Sequence, residues 1–225
     1  MPATPPAEAP RYGVVVPVKP PAFGKSRLGH LGDDARRDLA VAFAVDTVTA
    51  AVACPLVARV MVVTDDHVLA AGLADLGVEA LPDGTSDDLN GTLRLAAAEL
   101  HRREPSLRVA GLCADLPALR PEELEAVLAR AAPDGMSFVA DADGTGTTAV
   151  IAPAPEAFRP RFGRASRRRH LEAGAHEVDG IDVPTMRRDV DDIGDLAAAV
   201  ALGVGARTSL VVTTLGLDRR ETGRH

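Results

Sequence analysis

The stretch VVVPVKPPAFGKSRLG, residues 14–29, decides the fold because it joins the pattern of a buried strand to a polar loop. Its β-branched run is continuous rather than alternating, which is typical of a strand covered on both faces of a parallel sheet. The loop contains the only two lysines of the chain, Lys19 and Lys25. Ligands of open α/β sheets bind at the carboxyl ends of the strands, so we predict a functional loop here.

Apolar runs alternate with helical patterns through the first 130 residues. After the first strand, residues 13–18, further strands are predicted at residues 59–64, 78–81 and 107–113. Helices are predicted at residues 33–53, 88–103 and 120–131, and a further helix follows the second strand and ends at about residue 76. The first helix is predicted to be capped by Asp33 and Asp34. This alternation predicts a mostly parallel sheet with helices on both faces.

The pattern changes after residue 137. Two short strands, residues 137–141 and 147–152, flank a Gly/Thr loop, which predicts a small antiparallel insertion. A basic helix and a last helix follow, and SLVVTTL, residues 209–215, is interpreted as an edge strand. We therefore expect a flexible tail at residues 1–11, one α/β domain at residues 12–205 and a C-terminal extension at residues 206–225.

Composition excludes several classes of function. A net charge of −7, 3% aromatic residues and no tryptophan argue against partners such as nucleic acid or an anionic membrane. No apolar run approaches the roughly 20 residues that span a bilayer, and the N-terminus lacks a secretory signal pattern. Cys54 and Cys113 form no paired motif, and both thiols are expected to be buried in a cytoplasmic protein.

The loop after the first strand mimics a phosphate-binding P-loop in its Gly-Lys-Ser sequence, but the rest does not match. Lys19 stands at the first glycine position, and Pro20 and Pro21 lack the N–H groups that a phosphate cradle uses. The loop offers side-chain cations instead, Lys19, Lys25 and Arg27, which are suited to a triphosphate. The alternative interpretation is a solvated surface loop.

Two acidic segments predict a metal site. Asp115 directly follows the fourth strand, and Asp189 and Asp191 alternate in the sequence DVDD, so that they point the same way in extended backbone. Oxygen ligands with no neighbouring His or Cys suit Mg²⁺. The alternative role for such residues is capping, which we assign to Asp192 at the start of the last helix.

Two stretches predict a pocket for a small, doubly anionic acceptor. The loop DGTGTT, residues 143–148, supplies hydroxyls and N–H groups, and RPRFGRASRRRH, residues 159–170, supplies six arginines. Gly163 and Ser166 lie at a predicted helix start, where anions bind. A plain hairpin turn, a solvated basic helix and a nucleic-acid patch are the alternatives, and the acidic net charge weakens the last of them.

Taken together, the motifs resemble the guanylyltransferases that make the side chain of coenzyme F-420. The resemblance covers about residues 12–205 and is carried by the order and spacing of VPVK and GKSRL (16–28), VVTDD (62–66), DDLNGTL (87–93), ADLPAL (114–119), FVADADGTGTTAV (138–150), RFGRAS (161–166) and DVDDIGDL (189–196). It implies an α/β fold of the nucleotide-diphospho-sugar transferase type. It also implies GTP as donor, and phosphoenolpyruvate or 2-phospho-L-lactate as acceptor.

The resemblance further implies roles for individual residues. The acceptor would be held by Thr148, Gly163 and Ser166. The metal Mg²⁺ would be held by Asp115, Asp189 and Asp191. The nucleotide would be bound by Lys19, Lys25, Asp87 and Asn90. One departure from the family is Asp192, where relatives usually have threonine, and this affects the helix cap more than the metal.

The reaction implied is attack by the acceptor phosphate on the α-phosphorus of GTP, with Lys25, Arg27 and Asp115 as the catalytic residues. It requires no general base, and none of the six histidines stands out. Two alternatives stay open: a nucleotidyltransferase of the same fold with another acceptor, such as a molybdenum cofactor or a sugar phosphate, and a non-catalytic nucleotide-binding regulator. The sequence leaves the choice among phosphoenolpyruvate, 2-phospho-L-lactate and 3-phosphoglycerate open, and a homodimer is also left open.

Overall fold

A computed structural model of the chain describes residues 10–18, 31–84 and 88–217. Within them, seven strands form a single sheet: β1 (Tyr12–Pro17), β2 (Val57–Val63), β3 (Glu79–Leu81), β4 (Arg108–Leu112), β5 (Ser137–Ala140), β6 (Thr147–Ala152) and β7 (His176–Glu177). Their order is β3-β2-β1-β4-β6-β5-β7. Strands β1 to β4 are parallel, β6 runs antiparallel to β4 and β5, and β7 is parallel to β5. The predicted mostly parallel sheet with an antiparallel insertion is confirmed.

This topology decides where the site lies. Because β6 alone is reversed, its amino end lies at the same edge of the sheet as the carboxyl ends of the other six strands. We call this the carboxyl edge. Residues that follow β1, β2, β4 and β5 therefore meet residues that begin β6, although they are far apart along the chain.

Helices cover both faces of the sheet, as predicted. They are α1 (Asp33–Ala53), α2 (His67–Ala74), α3 (Leu89–Arg103), α4 (Pro121–Arg130), α5 (Ser166–Glu172), α6 (Pro184–Arg187), α7 (Ile193–Leu202) and α8 (Ala206–Thr214). The side chains of β1 alternate between two apolar clusters: Val14 and Val16 belong to one that includes residues of α1 and α4, and Val15 to one that includes residues of α3. Burial on both faces explains the continuous apolar run of β1.

The close approach of α3 to the sheet depends on a glycine in β1. A Cβ atom added at Gly13 would lie 2.3 Å from the Leu100 side chain, which is fully buried. The helix packs directly over this position, so a larger residue would displace the Leu100 side chain or the helix that carries it.

The prediction of an edge strand at residues 209–215 is wrong. This segment lies in α8, which packs against α1. Its amino end is capped from α1: Asp46 accepts hydrogen bonds from the backbone N–H groups of Arg207 at 3.1 Å and Thr208 at 2.8 Å. A Cβ atom at Gly205 would lie 2.4 Å from the Asp46 carboxyl carbon. The β-branched residues favour a strand locally, but this tertiary cap decides for the helix.

The structure tests two smaller predictions, on the cap of α1 and on the two cysteines. The N-cap of α1 is Gly32, which makes no side-chain hydrogen bond to the helix. Asp33 and Asp34 lie in the first turn, where their negative charges interact favourably with the helix dipole but do not cap the helix. Cys54 is buried as expected, whereas Cys113 is partly exposed. Among the described helices, none combines the length and the apolar character needed to cross a membrane.

Candidate active site

The two predicted acidic segments meet at the carboxyl edge. The backbone N–H of Val190 donates to the carbonyl of Asp115 at 3.1 Å, which joins the turn after β4 directly to the Asp189–Asp191 segment. A second bond, from the N–H of Ala142 to the carbonyl of Arg187 at 2.8 Å, joins the turn after β5 to the end of α6, two residues before Asp189. The structure therefore brings together residues separated by more than 70 positions in the chain.

The turn that holds Asp115 is itself supported by a buried hydroxyl group on α1. Thr47 Oγ1 accepts from the N–H of Leu116 at 3.1 Å, and it lies 2.8 Å from the carbonyl oxygen of Phe43 and 3.3 Å from that of Ala114. The turn on both sides of Asp115 is thus fixed to the first helix. Sequence reasoning missed Thr47, since no local pattern distinguishes it from other residues of α1.

Asp189 lies in an unusually acidic environment. Its pKa is raised to about 7, first because the carboxyl group is removed from water and second because Asp115, Asp191 and Asp141 place negative charge near it. Such a cluster lowers the free energy of any cation that enters it. Perturbed carboxyl groups of this kind concentrate at functional sites.

Asp141 is a member of this acidic cluster that the sequence analysis did not select. It directly follows β5, a position at the carboxyl edge that could have identified it. Its carboxylate accepts from the N–H groups of Thr145 at 2.8 Å and Gly146 at 2.7 Å, so it also shapes the β5–β6 turn. A Cβ atom at Gly146 would lie 2.3 Å from an Asp141 oxygen, which explains the glycine.

The donor atoms of the cluster fit a hard divalent cation, although they do not form a finished cage. Within residues 10–18, 31–84 and 88–217, no group of three or more His, Cys, Asp or Glu side chains is arranged to hold a metal ion. Mg²⁺ does not need such a cage, because it is bound by one or two carboxylates while waters and substrate phosphates complete its shell. Metal binding by Asp115, Asp189 and Asp191 stays a prediction.

The predicted cap at Asp192 is confirmed. Its carboxylate accepts from the N–H groups of Gly194 at 2.8 Å and Asp195 at 3.0 Å, and Asp195 in turn accepts from the N–H of Asp192 at 3.2 Å. This reciprocal pair is a capping box. Asp195 also accepts from the N–H of Asp191 at 3.1 Å, so the cap fixes the backbone of the acidic segment.

Thr148 lies at the start of β6, beside the turn that carries Asp115. Its carbonyl accepts from the N–H of Cys113 at 2.8 Å, and the register of β5 against β6 shifts at this point. The Thr148 side chain is fully buried, and its hydroxyl has no hydrogen-bond partner in the described part of the chain. An unpaired buried hydroxyl costs about 1–3 kcal/mol, so its position at the site favours a ligand as the missing partner.

The other two predicted acceptor residues lie at the start of α5 and on the loop before it. Gly163 has a φ of +115°, a conformation that other residues rarely adopt. Ser166 is the first residue of α5 and is buried. The N–H of Arg167 donates to the carbonyl of Thr145 at 3.2 Å, which ties the start of α5 to the β5–β6 turn near Thr148.

The predicted nucleotide residues are only partly covered by the structure. Asn90 uses its side chain to hold the loop before α5: its Oδ1 accepts from the N–H of Phe162 at 2.7 Å, and its Nδ2 donates to the carbonyl of Phe162 at 3.2 Å. Its role in nucleotide binding stays a prediction. The other three, Lys19, Lys25 and Asp87, lie outside the described part of the chain, as does Arg27, which was predicted to be catalytic.

Comparison with individual known proteins shows which family the chain belongs to. No family model matches the chain. A phosphoenolpyruvate guanylyltransferase from Streptomyces scabiei is 48% identical over 91% of this chain and 97% of the relative. Another, from Thermomonospora curvata, is 46% identical over 91% of this chain and 90% of the relative.

The fold comparison agrees with this. A crystal structure described as a nucleotide-diphospho-sugar transferase, from Desulfovibrio desulfuricans, superimposes with a TM-score of 0.69 at 18% identity, over 93% of this chain and 97% of that one. The fold is therefore that of the nucleotide-diphospho-sugar transferases, as the sequence predicted. At more than 45% identity over nine-tenths of its length, the chain belongs to the phosphoenolpyruvate guanylyltransferase family of nucleotidyltransferases.

Proposed function

We propose that this enzyme transfers GMP from GTP to the phosphate of phosphoenolpyruvate and releases pyrophosphate, as a step of coenzyme F-420 biosynthesis. The observation that carries the proposal is the meeting of the acidic cluster around Asp189 with the unpartnered hydroxyl of Thr148 at one edge of the sheet. The first feature suits a divalent cation with phosphates, and the second suits a polar acceptor. The names of the relatives supply the identities of the two substrates.

The proposed reaction requires little from the protein beyond alignment of the two substrates. An oxygen of the acceptor phosphate forms a bond to the α-phosphorus of GTP, and the bond from that phosphorus to the bridging oxygen of pyrophosphate breaks. The second pKa of a phosphate ester is near 6, so the nucleophile is largely deprotonated at neutral pH. No side chain needs to remove a proton, which agrees with a site built from carboxylates, hydroxyls and N–H groups.

The chain's own residues then have separate roles. Asp115, Asp189 and Asp191 would hold Mg²⁺, which when bound neutralises phosphate charge. Lys25 and Arg27, on the loop after β1, are proposed to neutralise charge on the triphosphate. Thr47 and the N–H of Val190 hold the Asp115 turn, so the carboxylates are positioned before substrate arrives.

The acceptor pocket is proposed to use Thr148, Gly163 and Ser166. A hydroxyl and backbone N–H groups are donors, which suits the carboxylate and phosphate oxygens of a three-carbon acid. 2-Phospho-L-lactate and 3-phosphoglycerate carry the same two anionic groups. The relatives' names favour phosphoenolpyruvate among the three.

The decisive experiment incubates the purified enzyme with GTP and each acceptor in turn, with and without Mg²⁺, and identifies products by mass spectrometry. We expect a guanylylated phosphoenolpyruvate and pyrophosphate only when acceptor and Mg²⁺ are both present. Product with a sugar phosphate or a molybdenum cofactor precursor alone would replace the proposed acceptor. Binding of GTP without turnover under any condition would favour the regulator.

Other features of the proposal follow from the chain's surface. A net charge of −7 supports small-molecule partners rather than nucleic acid or an anionic membrane. We propose a cytoplasmic enzyme, and light scattering on the purified protein would distinguish a monomer from a homodimer.

A further inference from the structure

His170 of α5 is a buried residue to which the proposed chemistry assigns no role. Its ring is fully buried and stacks on Phe138 with centroids 5.2 Å apart, and it meets Phe162 edge-on at 5.9 Å. Two aromatic contacts fix the plane of the imidazole. The directions in which its two nitrogen atoms can hydrogen-bond are therefore fixed as well.

Both nitrogens are bonded to segments that hold the acceptor residues. Nε2 accepts from the backbone N–H of Arg161 at 2.9 Å, two residues before Gly163. Nδ1 lies 3.0 Å from the hydroxyl of Thr147, the neighbour of Thr148. The ring also hydrogen-bonds with the backbone of Ser166. One imidazole thus reaches all three segments of the acceptor pocket.

The contacts require one form of the ring. Since Nε2 accepts a hydrogen bond from an N–H group, it carries no proton, and the neutral ring must carry its proton on Nδ1. Burial, together with the positive charges of Arg161 and Arg169, keeps the pKa of His170 low, at about 4. The ring is therefore neutral at any pH at which the enzyme would work.

The same loop is held from the opposite side by Asn90, which makes two hydrogen bonds to Phe162. The backbone of Arg161 and Phe162 lies between two side chains from different helices, α3 and α5. Gly163 follows directly, in a conformation with φ of +115° that depends on how this segment is held. An ordinary core histidine would pack in the same way but would not connect three parts of one pocket.

We propose that His170 is a positioning residue for the acceptor pocket: through Arg161, Thr147 and Ser166 it holds Gly163, Thr148 and Ser166 in the geometry that receives the acceptor. The inference rests on the proposed function, because it takes these three residues as the acceptor site. It adds that the pocket is set by the neutral, Nδ1-protonated imidazole beneath it, which itself does not touch substrate.

Two substitutions separate the hydrogen bonds of the ring. In His170→Gln, the side-chain oxygen can reach the Nε2 position and accept from Arg161; in His170→Asn, the side chain is too short to do so. The lost bond is worth about 1–1.5 kcal/mol, close to a tenfold change in affinity. We expect the KM for phosphoenolpyruvate to rise about tenfold in the Asn variant and to stay near wild type in the Gln variant. The KM for GTP should change less than twofold in both.

His176→Asn is the matched control, because His176 is exposed on β7 and away from the carboxyl edge. Unchanged kinetics in both His170 variants would overturn the proposal. An equal rise in the KM for phosphoenolpyruvate and the KM for GTP in the Asn variant would also overturn it. Absence of product from the wild-type enzyme would instead contradict the proposed function, so the two failures are distinguishable.

A measurement on the wild-type protein does not depend on the variants folding. With ¹⁵N-labelled histidine, the ring of His170 should show the Nδ1-protonated form by NMR, and saturating phosphoenolpyruvate should shift its resonances while that of His176 stays unchanged. An Nε2-protonated ring, or resonances unaffected by phosphoenolpyruvate, would contradict the inference.

Discussion

Two acidic side chains withdrawn from solvent, Asp46 and Asp189, are treated in opposite ways by this molecule. Asp46 is 8% exposed and accepts two backbone N–H groups at the amino end of α8. Asp189 is half-buried among three other carboxylates, and burial and these charges raise its pKa to about 7. A carboxylate that supports the fold is given hydrogen-bond donors by the chain. Asp189, which we propose as a metal ligand, lies instead among like charges, and on that proposal a bound cation would compensate them.

The largest effect is expected for Asp115, the acidic residue in the turn after β4. Asp115→Asn keeps the shape of the side chain but removes its charge, so we expect turnover to fall roughly 10²–10³-fold, as for the loss of other electrostatic groups. The free energy of unfolding should change little, because asparagine has the same size and the backbone carbonyl of residue 115 still accepts from the N–H of Val190. Steady-state rates and urea unfolding would measure the two quantities.

Asp134→Asn is the control for this change. Asp134 is exposed and precedes β5, at the opposite edge of the sheet. Near-normal turnover in Asp115→Asn would contradict a catalytic role for Asp115. An equal loss of turnover in Asp134→Asn would show that the effect is not specific to the carboxylates of the candidate site.

The second prediction concerns His170, which resembles Asp46 in that it is buried and accepts a hydrogen bond from a backbone N–H group. The folded protein keeps its pKa at about 4, against 6.5 for the free side chain. The resulting stability is fully present above pH 6.5 and is lost as the pH falls towards 4, because the unfolded chain takes up the proton first. The loss reaches about 3 kcal/mol by pH 4.

Other groups titrate in the same range, so the comparison is with His170→Gln. Urea unfolding at pH 7.5, 5.5 and 4.5 should show a steeper loss of stability in the wild-type protein than in the variant. Parallel curves for the two proteins would mean that the folded state does not hold His170 neutral.

The third prediction tests the structural carboxylate. Asp46→Ala removes the cap from α8 and should lower the free energy of unfolding by about 2 kcal/mol, since hydrogen bonds to a charged group are lost. Turnover below the melting temperature should stay close to normal, because α8 lies outside the site. Asp38→Ala is the control: Asp38 is exposed on α1, the helix that carries Asp46, and its replacement should change the free energy of unfolding little. A loss of activity in folded Asp46→Ala would show that the two regions are coupled.

The smallest effect is the most direct test of the contrast. Asp189→Asn removes one of several like charges, so in metal-free buffer it should raise the free energy of unfolding by about 1 kcal/mol, although turnover falls. Addition of Mg²⁺ should raise the melting temperature of the wild-type protein more than that of the variant. If the variant were less stable without metal, Asp189 would be a structural residue like Asp46.

Much of this arrangement can be read from the chain. The continuous apolar runs of β1 and β2 and the alternation with helices are local patterns, and they predict a parallel sheet. The rule that ligands bind at the carboxyl ends of strands then selects Asp115 and the loop after β1. The capping role of Asp192 was also predictable, because its partners are two and three residues away.

Other residues carry no local signal. Thr47 supports the Asp115 turn from 69 positions away in the chain, and its sequence context is that of any helix. His170 carries no local signal either, since the hydroxyl group beside its Nδ1 belongs to Thr147, 23 residues before it. The segment at residues 209–215 misled the prediction because its β-branched residues favour a strand.

The amino-acid sequence by itself determined the α/β class, the edge of the sheet that holds the candidate site and the types of residue available there, since these follow from patterns of a few neighbouring residues. The tertiary structure alone decided which of those residues meet. Asp46 caps a helix 161 positions away, and the turn with Asp115 bonds to the Asp189–Asp191 segment. Burial removes water as a competing partner, so a hydrogen bond or a repulsion between distant residues then outweighs local preference.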